Sequence, residues 1–154
     1  MEWCSQNFDY TPEHWVHLRP TTPLREPRVL KNALDTFRKN ESLDSLRSGH
    51  EVAESPFKWF LKDENNLFEG IRKEFTPEIV NQPRQSFPKV YNPNGYVDVV
   101  KSSHVLNSDN LHGSKMYVFE TPHCQEIDNA DDFEYMKFKF EKEGSILNDY
   151  LDNF

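Results

Sequence analysis

Glycine is scarce in this chain: only five of its 154 residues are glycine. No G-x-x-x-x-G-K sequence is present, nor any comparable glycine-rich loop that would bind a phosphate through its backbone amides. Cysteine is scarce as well, because Cys4 and Cys124 are the only two and lack a C-x-x-C spacing. We therefore expect reduced thiols in a cytoplasmic protein.

The chain also lacks an excess of positive charge and any long apolar run. Its formal net charge is −8 at pH 7, which argues against nonspecific nucleic-acid binding, since that needs a basic surface. A single cationic pocket on an acidic protein can still bind an anionic small molecule. No apolar stretch approaches the length of a membrane span, and the N-terminus does not resemble a secretory signal, so we expect no membrane partner.

Alanine is nearly absent, with three residues, and apolar residues make up only 36% of the chain. Twelve phenylalanines, six tyrosines and three tryptophans must therefore supply much of the buried area. The length is that of one domain, and we predict a single, partial domain over residues 1–154. So polar a chain is expected to need a partner surface to complete its core.

A strand, a rigid turn and a helix are predicted in succession near the N-terminus. Residues 15–18 are a short apolar run typical of a buried strand, which ends where proline cannot continue a sheet ladder. Residues 19–25, here called the elbow, read RPTTPLR, a stiff turn whose hydroxyls should face outward. Helical spacing then predicts a helix over 28–39. Open α/β sheets bind ligands at such elbows, although a connection stiffened by proline explains the pattern equally well.

Periodicity and turn residues predict the remaining elements. The clearest strand is 96–100, and a late helix should begin at Asn129 or Asp131 and end near Gly144. Strands mixed with helices favour an α/β fold, a sheet with helices on its faces. Further helices are predicted before residue 10, with Trp3 and Phe8 able to pack inward, and up to 107, capped by Ser102 or Ser103. The other predicted features are a strand over 43–50, a hairpin of 57–62 with 67–69, a functional loop over 76–88, a tight turn over 91–96, a strand over 115–120 and a helical tail over 145–154.

Several separated motifs point to one family. They are LRPTTPLR at 18–25, ESPFK at 54–58, QPRQ at 82–85, NPNG at 92–95, and EID at 126–128 followed by DF at 132–133. In this order they resemble the cytidylyltransferases that activate sialic acid and its nine-carbon relatives. The resemblance covers nearly the whole chain.

The resemblance implies transfer of CMP from CTP to a nonulosonic acid, with Mg²⁺ and release of pyrophosphate. It also implies a Rossmann-like nucleotidyltransferase sheet with a protruding hairpin, and a homodimer in which region 57–75 reaches the partner. Members of the family begin with a strand and a Gly/Arg/Lys-rich loop that holds the triphosphate, and this sequence lacks that loop. We therefore expect the chain to correspond to the later portion of the fold and to be weak or inactive alone.

Glu126 and Asp128 are the candidate metal ligands. Their i,i+2 spacing places both carboxylates on one side of an extended segment, and Mg²⁺ needs only one or two such protein ligands. On spacing alone, two solvated acids before a helix N-terminus are the better explanation. The resemblance implies instead that Asp128 is a catalytic metal ligand, with Glu126 in place of the more usual aspartate.

The resemblance also implies substrate contacts by basic and polar residues. Arg84 would be a catalytic residue that faces the sugar acid, because a guanidinium can bind a carboxylate through two hydrogen bonds. Asn94 would contact the sugar, and Lys58, Arg19 and Thr22 would lie on the substrate side. A surface arginine, a turn asparagine and an exposed strand lysine are the plainer alternatives for Arg84, Asn94 and Lys58.

Three positions depart from the family. Asn92 stands where some relatives carry arginine, Asp98 where they carry tyrosine, and Arg19 where some carry glutamine. An acid within a valine-rich strand costs several kcal/mol unless it is paired, so Asp98 should reach a cation, a hydroxyl or solvent and is counted with the substrate-binding residues. These departures leave the particular sugar acid open.

The histidines favour no metal site. His14 and His17 would need a helix to share a face, and their local pattern predicts a strand. His123 and Cys124 lie near the acidic pair, but no tetrahedral ligand set is evident, so zinc is not expected.

The leading hypothesis is therefore an acylneuraminate-type cytidylyltransferase. A noncatalytic sugar-binding remnant, or a subunit completed by a separate N-terminal polypeptide, is the alternative from another class. A transferase for a shorter sugar acid, such as the eight-carbon acid of lipopolysaccharide, is the third possibility.

Overall fold

The computed structural model describes residues 2–152, and the chain divides into two compact units. Residues 1–50 and 93–154 make up the larger unit, and residues 51–92 make up the smaller one. The larger unit contains helices and a four-stranded sheet, so the prediction of an α/β fold is confirmed.

The sheet has the strand order β1-β5-β2-β6. Strand β1 is antiparallel to β5, whereas β2 is parallel to β6. The bounds are β1 His14–His17, β2 Ser45–Glu51, β5 Tyr91–Lys101 and β6 Met116–Glu120, with helices α1 Glu2–Asn7, α2 Pro27–Arg38, α4 Ser102–Val105, α5 Ala130–Glu143 and α6 Ile146–Leu151.

Helix α2 forms the core with one face of the sheet. It begins with Pro27, whose fixed φ suits a first helical position, and this agrees with the helix predicted over 28–39. Ala33 and Phe37 are fully buried against Leu46 and Val97. Burying a side chain as large as Phe37 contributes roughly 1.5–3 kcal/mol, so this face holds the larger unit together.

The first strand is present but is not buried as predicted. Strand β1 lies at the end of the sheet with β5 beside it, and Val16 is 43% exposed. The apolar run reflects an edge strand that is covered on one side only. Trp3 and Phe8 were likewise expected to pack inward, but both are exposed and contact each other edge to face.

The predicted tight turn over 91–96 is wrong, because these residues begin β5. Gly95 has a φ of 60°, which glycine adopts without strain and which accommodates the irregular backbone within the strand. The turn-forming chemistry of NPNG was overridden by tertiary packing, since Asn94 is buried and fully bonded. The strand predicted over 96–100 is confirmed.

Helix α5 has the predicted ends. The Asn129 side chain accepts from the Asp132 amide while the Asp132 carboxylate accepts from the Asn129 amide, which forms a capping box. Gly144 ends the helix with a φ of 71°. The serine cap predicted for α4 is wrong, because Ser102 is the first helical residue and its hydroxyl donates instead to the Pro12 carbonyl.

The smaller unit contains a hairpin and short helical turns. Strands β3 Phe60–Lys62 and β4 Phe68–Gly70 pair antiparallel, as predicted. Residues 57–58 were predicted to belong to the first strand of this hairpin, but they lie in a 3₁₀ turn over Pro56–Lys58. The region 76–88 is not simply a loop, because it contains α3 Pro77–Val80 and a 3₁₀ turn over Arg84–Ser86. Proline at a first helical position and the Thr76 cap on the Ile79 amide explain α3.

No helix in the described part of the chain is both long enough and apolar enough to traverse a membrane.

Candidate functional site

The side chain of Asn94 is the centre of a polar network in the larger unit. Its Nδ2 donates to Thr121 Oγ1 at 2.6 Å, and its Oδ1 accepts from the Tyr96 amide at 3.3 Å. The Asn94 carbonyl accepts from the Thr22 hydroxyl at 3.4 Å and from Cys124 Sγ at 3.5 Å. Only 1% of Asn94 is exposed, so this residue organises the site from inside. We name residues 22, 50, 94, 121 and 124 the elbow cluster.

Thr22 does not face outward as predicted for the elbow hydroxyls. It is 1% exposed, because its side chain turns inward to bond β5. The amide of the same residue donates to the Arg19 carbonyl at 3.1 Å and closes the turn.

Arg25 anchors the elbow to the sheet. Its Nε donates to the Tyr96 carbonyl at 2.7 Å, and Nη2 donates to the carbonyls of Arg19 and Gly95 at 2.5 and 3.0 Å. The residue is buried, and desolvation lowers its pKa. In the sequence Arg25 is only the last residue of the elbow, whereas in the structure its three hydrogen bonds hold the elbow against β5.

Glu126 and Arg19 meet at Gly95. A Cβ added to Gly95 would lie 2.6 Å from Glu126 Oε1 and 2.7 Å from Arg19 Cδ. The missing side chain therefore makes room for an acid and a base to approach the β5 backbone. The structure thus brings four of the predicted site residues to one place in the larger unit: Arg19, Thr22, Asn94 and Glu126.

Asp128 is exposed just before α5, and Glu126 is half-buried. The intervening Ile127 amide donates to the Thr21 carbonyl at 2.8 Å and ties this acidic segment to the elbow. Within residues 2–152, no group of three or more His, Cys, Asp or Glu side chains could hold a metal ion. The donors suit Mg²⁺, which can bind through one or two carboxylates, but the pair would leave most of the coordination to water and substrate.

The elbow cluster includes one histidine, His50, and a second histidine, His123, packs against it. His50, near the end of β2, packs edge to face against His123 with 4.6 Å between ring centroids. Burial lowers the pKa of His50, His123 lowers it further and Glu126 opposes the shift. Burial also raises the pKa of the Cys124 thiol to about 11, with Glu126 adding to the effect. Sequence reasoning missed His50, although its place at the predicted end of a strand was a usable signal.

Asp98 lies in a second polar cluster of the larger unit. It is 6% exposed, with Oδ1 3.8 Å from Arg47 Nε and Oδ2 3.9 Å from His17 Nδ1. These distances allow charge attraction but exceed a hydrogen bond, so the buried Oδ1 has no hydrogen-bond partner among the residues that the structure describes. The buried Nδ1 of His112 likewise has none within the described part of the chain, and desolvation lowers the pKa of His112 against the opposing effect of Asp98. The expectation that Asp98 reaches a cation is met by this long ion pairing.

The predicted basic residues Arg84 and Lys58 both lie in the smaller unit. Arg84 Nη2 donates to Glu51 Oε1 at 3.0 Å and to the Val52 carbonyl at 3.1 Å, and Lys89 Nζ donates to Glu51 Oε2 at 2.7 Å. The Lys89 hydrogen bond is the largest cause of the lowered pKa of Glu51, and Arg84 contributes. The pairing of Glu51 with Arg84 was not predicted, because the two residues are 33 positions apart and no local pattern near Glu51 indicates its partner.

Two cavities of the smaller unit adjoin Arg84. One, of about 320 Å³, is lined by the Glu51–Arg84 pair and Lys89. The other, of about 350 Å³, is lined by Arg84, Lys58 and Trp59. Ser55 borders both, and its buried Oγ has no hydrogen-bond partner in the described range 2–152. Arg84 is therefore placed to meet a ligand on either side.

No protein-family model matches this sequence, and a search of curated proteins found no match. Among solved structures, the chain is similar to a CMP:2-keto-3-deoxy-manno-octonic acid synthetase complexed with CTP, with a TM-score of 0.60 and 12% identity over 92% of this chain and 66% of that one. It is also similar to 4-diphosphocytidyl-2C-methyl-D-erythritol synthase from Anaerococcus prevotii, with a TM-score of 0.57 and 11% identity over 88% of this chain and 62% of that one.

The two similar structures show which class of fold this chain has. The chain has the mixed α/β fold of the nucleotidyltransferases, as the sequence motifs predicted. It spans less than two thirds of the length of each of the two proteins. At such low identity the likeness extends to the fold alone, and activity must be argued from the residues.

Proposed function

We propose that this protein acts in the transfer of CMP from CTP to an acidic sugar. The observation that carries the proposal is the meeting of Arg19 and Glu126 at Gly95 in a nucleotidyltransferase fold. Charged side chains at the edge where parallel strands end suit a ligand that contains phosphates. One similar structure is a CMP:2-keto-3-deoxy-manno-octonic acid synthetase complexed with CTP, and the other is named for a diphosphocytidyl compound, which supports CTP as the nucleotide.

The proposed reaction needs positioned groups more than covalent chemistry from the protein. The anomeric hydroxyl of the sugar acid would attack the α-phosphorus of CTP, the α–β phosphoanhydride bond would break, and pyrophosphate would leave with the hydroxyl proton passing to solvent or base. Glu126 and Asp128 would hold a Mg²⁺ ion that neutralises phosphate charge. Arg19 lies beside Glu126 and would balance the charge of this carboxylate before the metal binds.

Recognition of the sugar acid is proposed for the smaller unit. A guanidinium and an ammonium beside cavities of 320 and 350 Å³ suit a carboxylate, with Arg84 and Lys58 as the donors. Glu51 would orient Arg84, because it already binds Nη2 and leaves Nη1 for a ligand. A nine-carbon nonulosonic acid is the first candidate, on the strength of the motifs.

An eight-carbon sugar acid is the second candidate. One similar structure is named for 2-keto-3-deoxy-manno-octonic acid, which specifically favours this alternative. We also propose a homodimer, supported by the exposed apolar hairpin residues Phe60, Leu61 and Leu67. A cytoplasmic setting is proposed from the two free cysteines. The elution volume of the purified chain, compared with a Phe60→Glu variant, would test the dimer.

A pyrophosphate-release assay tests the proposed activity. The chain would be incubated with CTP, Mg²⁺ and, in separate reactions, sialic, legionaminic and pseudaminic acids and the eight-carbon acid. Release with one acid and its loss on omission of Mg²⁺ would support the proposal, and the productive acid would identify the substrate. Calorimetric binding of a sugar acid without binding of CTP would support a noncatalytic binding module, and no binding of either would contradict both.

A further inference from the structure

The orientation of the Asn94 amide is determined by its neighbours. Its Oδ1 must accept the hydrogen bond from the Tyr96 amide, because a backbone N–H only donates. Its Nδ2 therefore faces Thr121 Oγ1 at 2.6 Å and His50 Nδ1 at 3.3 Å. An amide NH₂ has two protons, and these two acceptors use both of them.

This arrangement determines the tautomer of His50. Since Asn94 Nδ2 donates, His50 Nδ1 must accept, and the proton of the neutral ring lies on Nε2. The lowered pKa, caused by burial and by His123, favours the neutral ring over the cation. His50 thus presents one N–H donor, at Nε2, with no partner among residues 2–152.

His50 lies at the edge of the sheet where ligands of α/β folds bind. The residue lies one place before the end of β2, which runs parallel to β6, and ligands of α/β sheets bind at the carboxyl ends of such strands. His123 holds the ring edge to face, which restricts its rotation. The charge of Glu126 raises the pKa of His50 in opposition to burial. Glu126 itself lies beside the Arg19 side chain at Gly95. A fixed neutral donor can therefore meet an anionic ligand without carrying charge itself.

We propose that His50 is a ligand-binding residue whose Nε2–H donates to an anionic oxygen of the substrate. A phosphoryl oxygen of the nucleotide and the carboxylate of the sugar acid share this chemistry. The inference rests on the proposed function for its ligand, but the tautomer rests on the Asn94 contacts alone.

The tautomer is tested by long-range ¹H–¹⁵N NMR of the ¹⁵N-histidine-labelled chain. We expect His50 with a protonated Nε2 and an unprotonated Nδ1 in the free protein at pH 7.5. Addition of CTP, inorganic pyrophosphate, N-acetylneuraminate or the eight-carbon acid would move the Nε2 resonance, and the probe that does so would identify the oxygen as phosphoryl or carboxylate. A ring protonated on Nδ1 would overturn the inference.

Two substitutions separate a ligand contact from a structural role. His50→Asn keeps an acceptor for Asn94 but removes the distal donor, so we expect a folded protein whose affinity for the responsive probe falls about 10-fold. His50→Gln restores a distal N–H donor and should recover part of this loss. His104→Asn, at a histidine that bonds Asn110 in a separate loop, is the control and should bind normally.

Calorimetry of the same probes distinguishes the two proposals. If the unmodified chain binds a probe and His50→Asn binds it equally well, the role of His50 is refuted while the proposed function stands. If the unmodified chain binds none of the four probes, the proposed function fails, and the ligand role of His50 fails with it.

Discussion

Asn94 on β5 donates a 2.6 Å hydrogen bond to the hydroxyl of Thr121. Thr121 is 27 positions later in the chain, directly after the end of β6. Both side chains are buried. Thr121→Val removes the acceptor without changing the shape, so one proton of the Asn94 amide would be left unpaired. We expect a loss of about 1–3 kcal/mol in the free energy of unfolding, measured by urea denaturation. Thr121→Ser keeps the hydroxyl, and a valine variant as stable as the serine variant would contradict the role of this bond.

Gly95 should tolerate substitution less well than Gly144. Both have a positive φ, of 60° and 71°, so alanine is strained at either site by about 1–3 kcal/mol. At Gly95 the new Cβ would also clash with Glu126 and Arg19, whereas at Gly144 no atom lies within 4 Å. We therefore expect Gly95→Ala to lower the melting temperature more than Gly144→Ala. Equal shifts would show that the side chains beside Gly95 move aside freely.

Acid should destabilise the fold through His50 and His112, before the carboxylates titrate. Burial lowers both pKa values from the ordinary 6.5, so between 6.5 and the lowered values the unfolded chain binds more protons than the folded one. Their contribution to stability is complete above about pH 6.5 and is lost as the pH falls through this window. Urea midpoints from pH 7.5 to 5 measure the slope.

His112→Asn supplies the test of this assignment, since it removes one of the two buried rings. The slope of stability against pH above pH 5 should therefore become shallower, because desolvation is the main cause of the lowered pKa of His112. The charges of Asp98, Arg47 and Arg19 all act on the pKa of His112. Because Asp98 opposes the shift, the contribution of His112 to the pH slope should be smaller than desolvation alone would give. An unchanged slope would assign the acid sensitivity to other groups.

Cys124 should react slowly with alkylating reagents. Its pKa of about 11 leaves very little thiolate at pH 8, and the thiol donates to the Asn94 carbonyl. We expect iodoacetamide to modify Cys124 at least 10-fold more slowly than it modifies free glutathione, as followed by peptide mass spectrometry. Urea should remove this protection, and rapid modification of the folded chain would contradict the burial of the thiol.

Arg84→Lys should weaken sugar-acid binding selectively. A lysine keeps the charge but cannot offer two parallel N–H donors, so on the proposed function we expect the Kd for the sugar acid, measured by calorimetry, to rise about 10-fold while the Kd for CTP changes little. Arg28→Lys, at an exposed residue on α2 that pairs with Glu26, is the matched control. Equal changes in both Kd values would argue against a role specific to the sugar acid.

Local patterns were sufficient to predict much of the fold. Helix α2 follows from its apolar spacing and initial proline, and α5 from its asparagine cap and terminal glycine. The hairpin of β3 and β4 was also predicted. Its turn is stabilised locally, because Asp63 Oδ1 accepts hydrogen bonds from the amides of Asn65 and Leu67 within the turn. All of these signals lie within a few residues of the structure they specify.

The exposed face of β1 and the extended NPNG segment were not predictable in this way. An apolar run is the same in an edge strand as in a central one, because the difference depends on whether a neighbour is present. NPNG has the composition of a turn, but the hydrogen bonds of Asn94 with Thr121 and Tyr96 hold it in β5. The outcome depended on partners that the local sequence does not specify.

By itself, the sequence determined the class of fold and the residue types available to the proposed site. Only the tertiary structure decided that Asn94 is internal, that Arg25 clamps the elbow and that His50 presents its Nε2 proton. The physical reason is that a polar side chain has its role defined by the donors and acceptors around it. Here those groups come from strands and turns 27 to 71 positions apart, and only folding brings them within hydrogen-bonding distance.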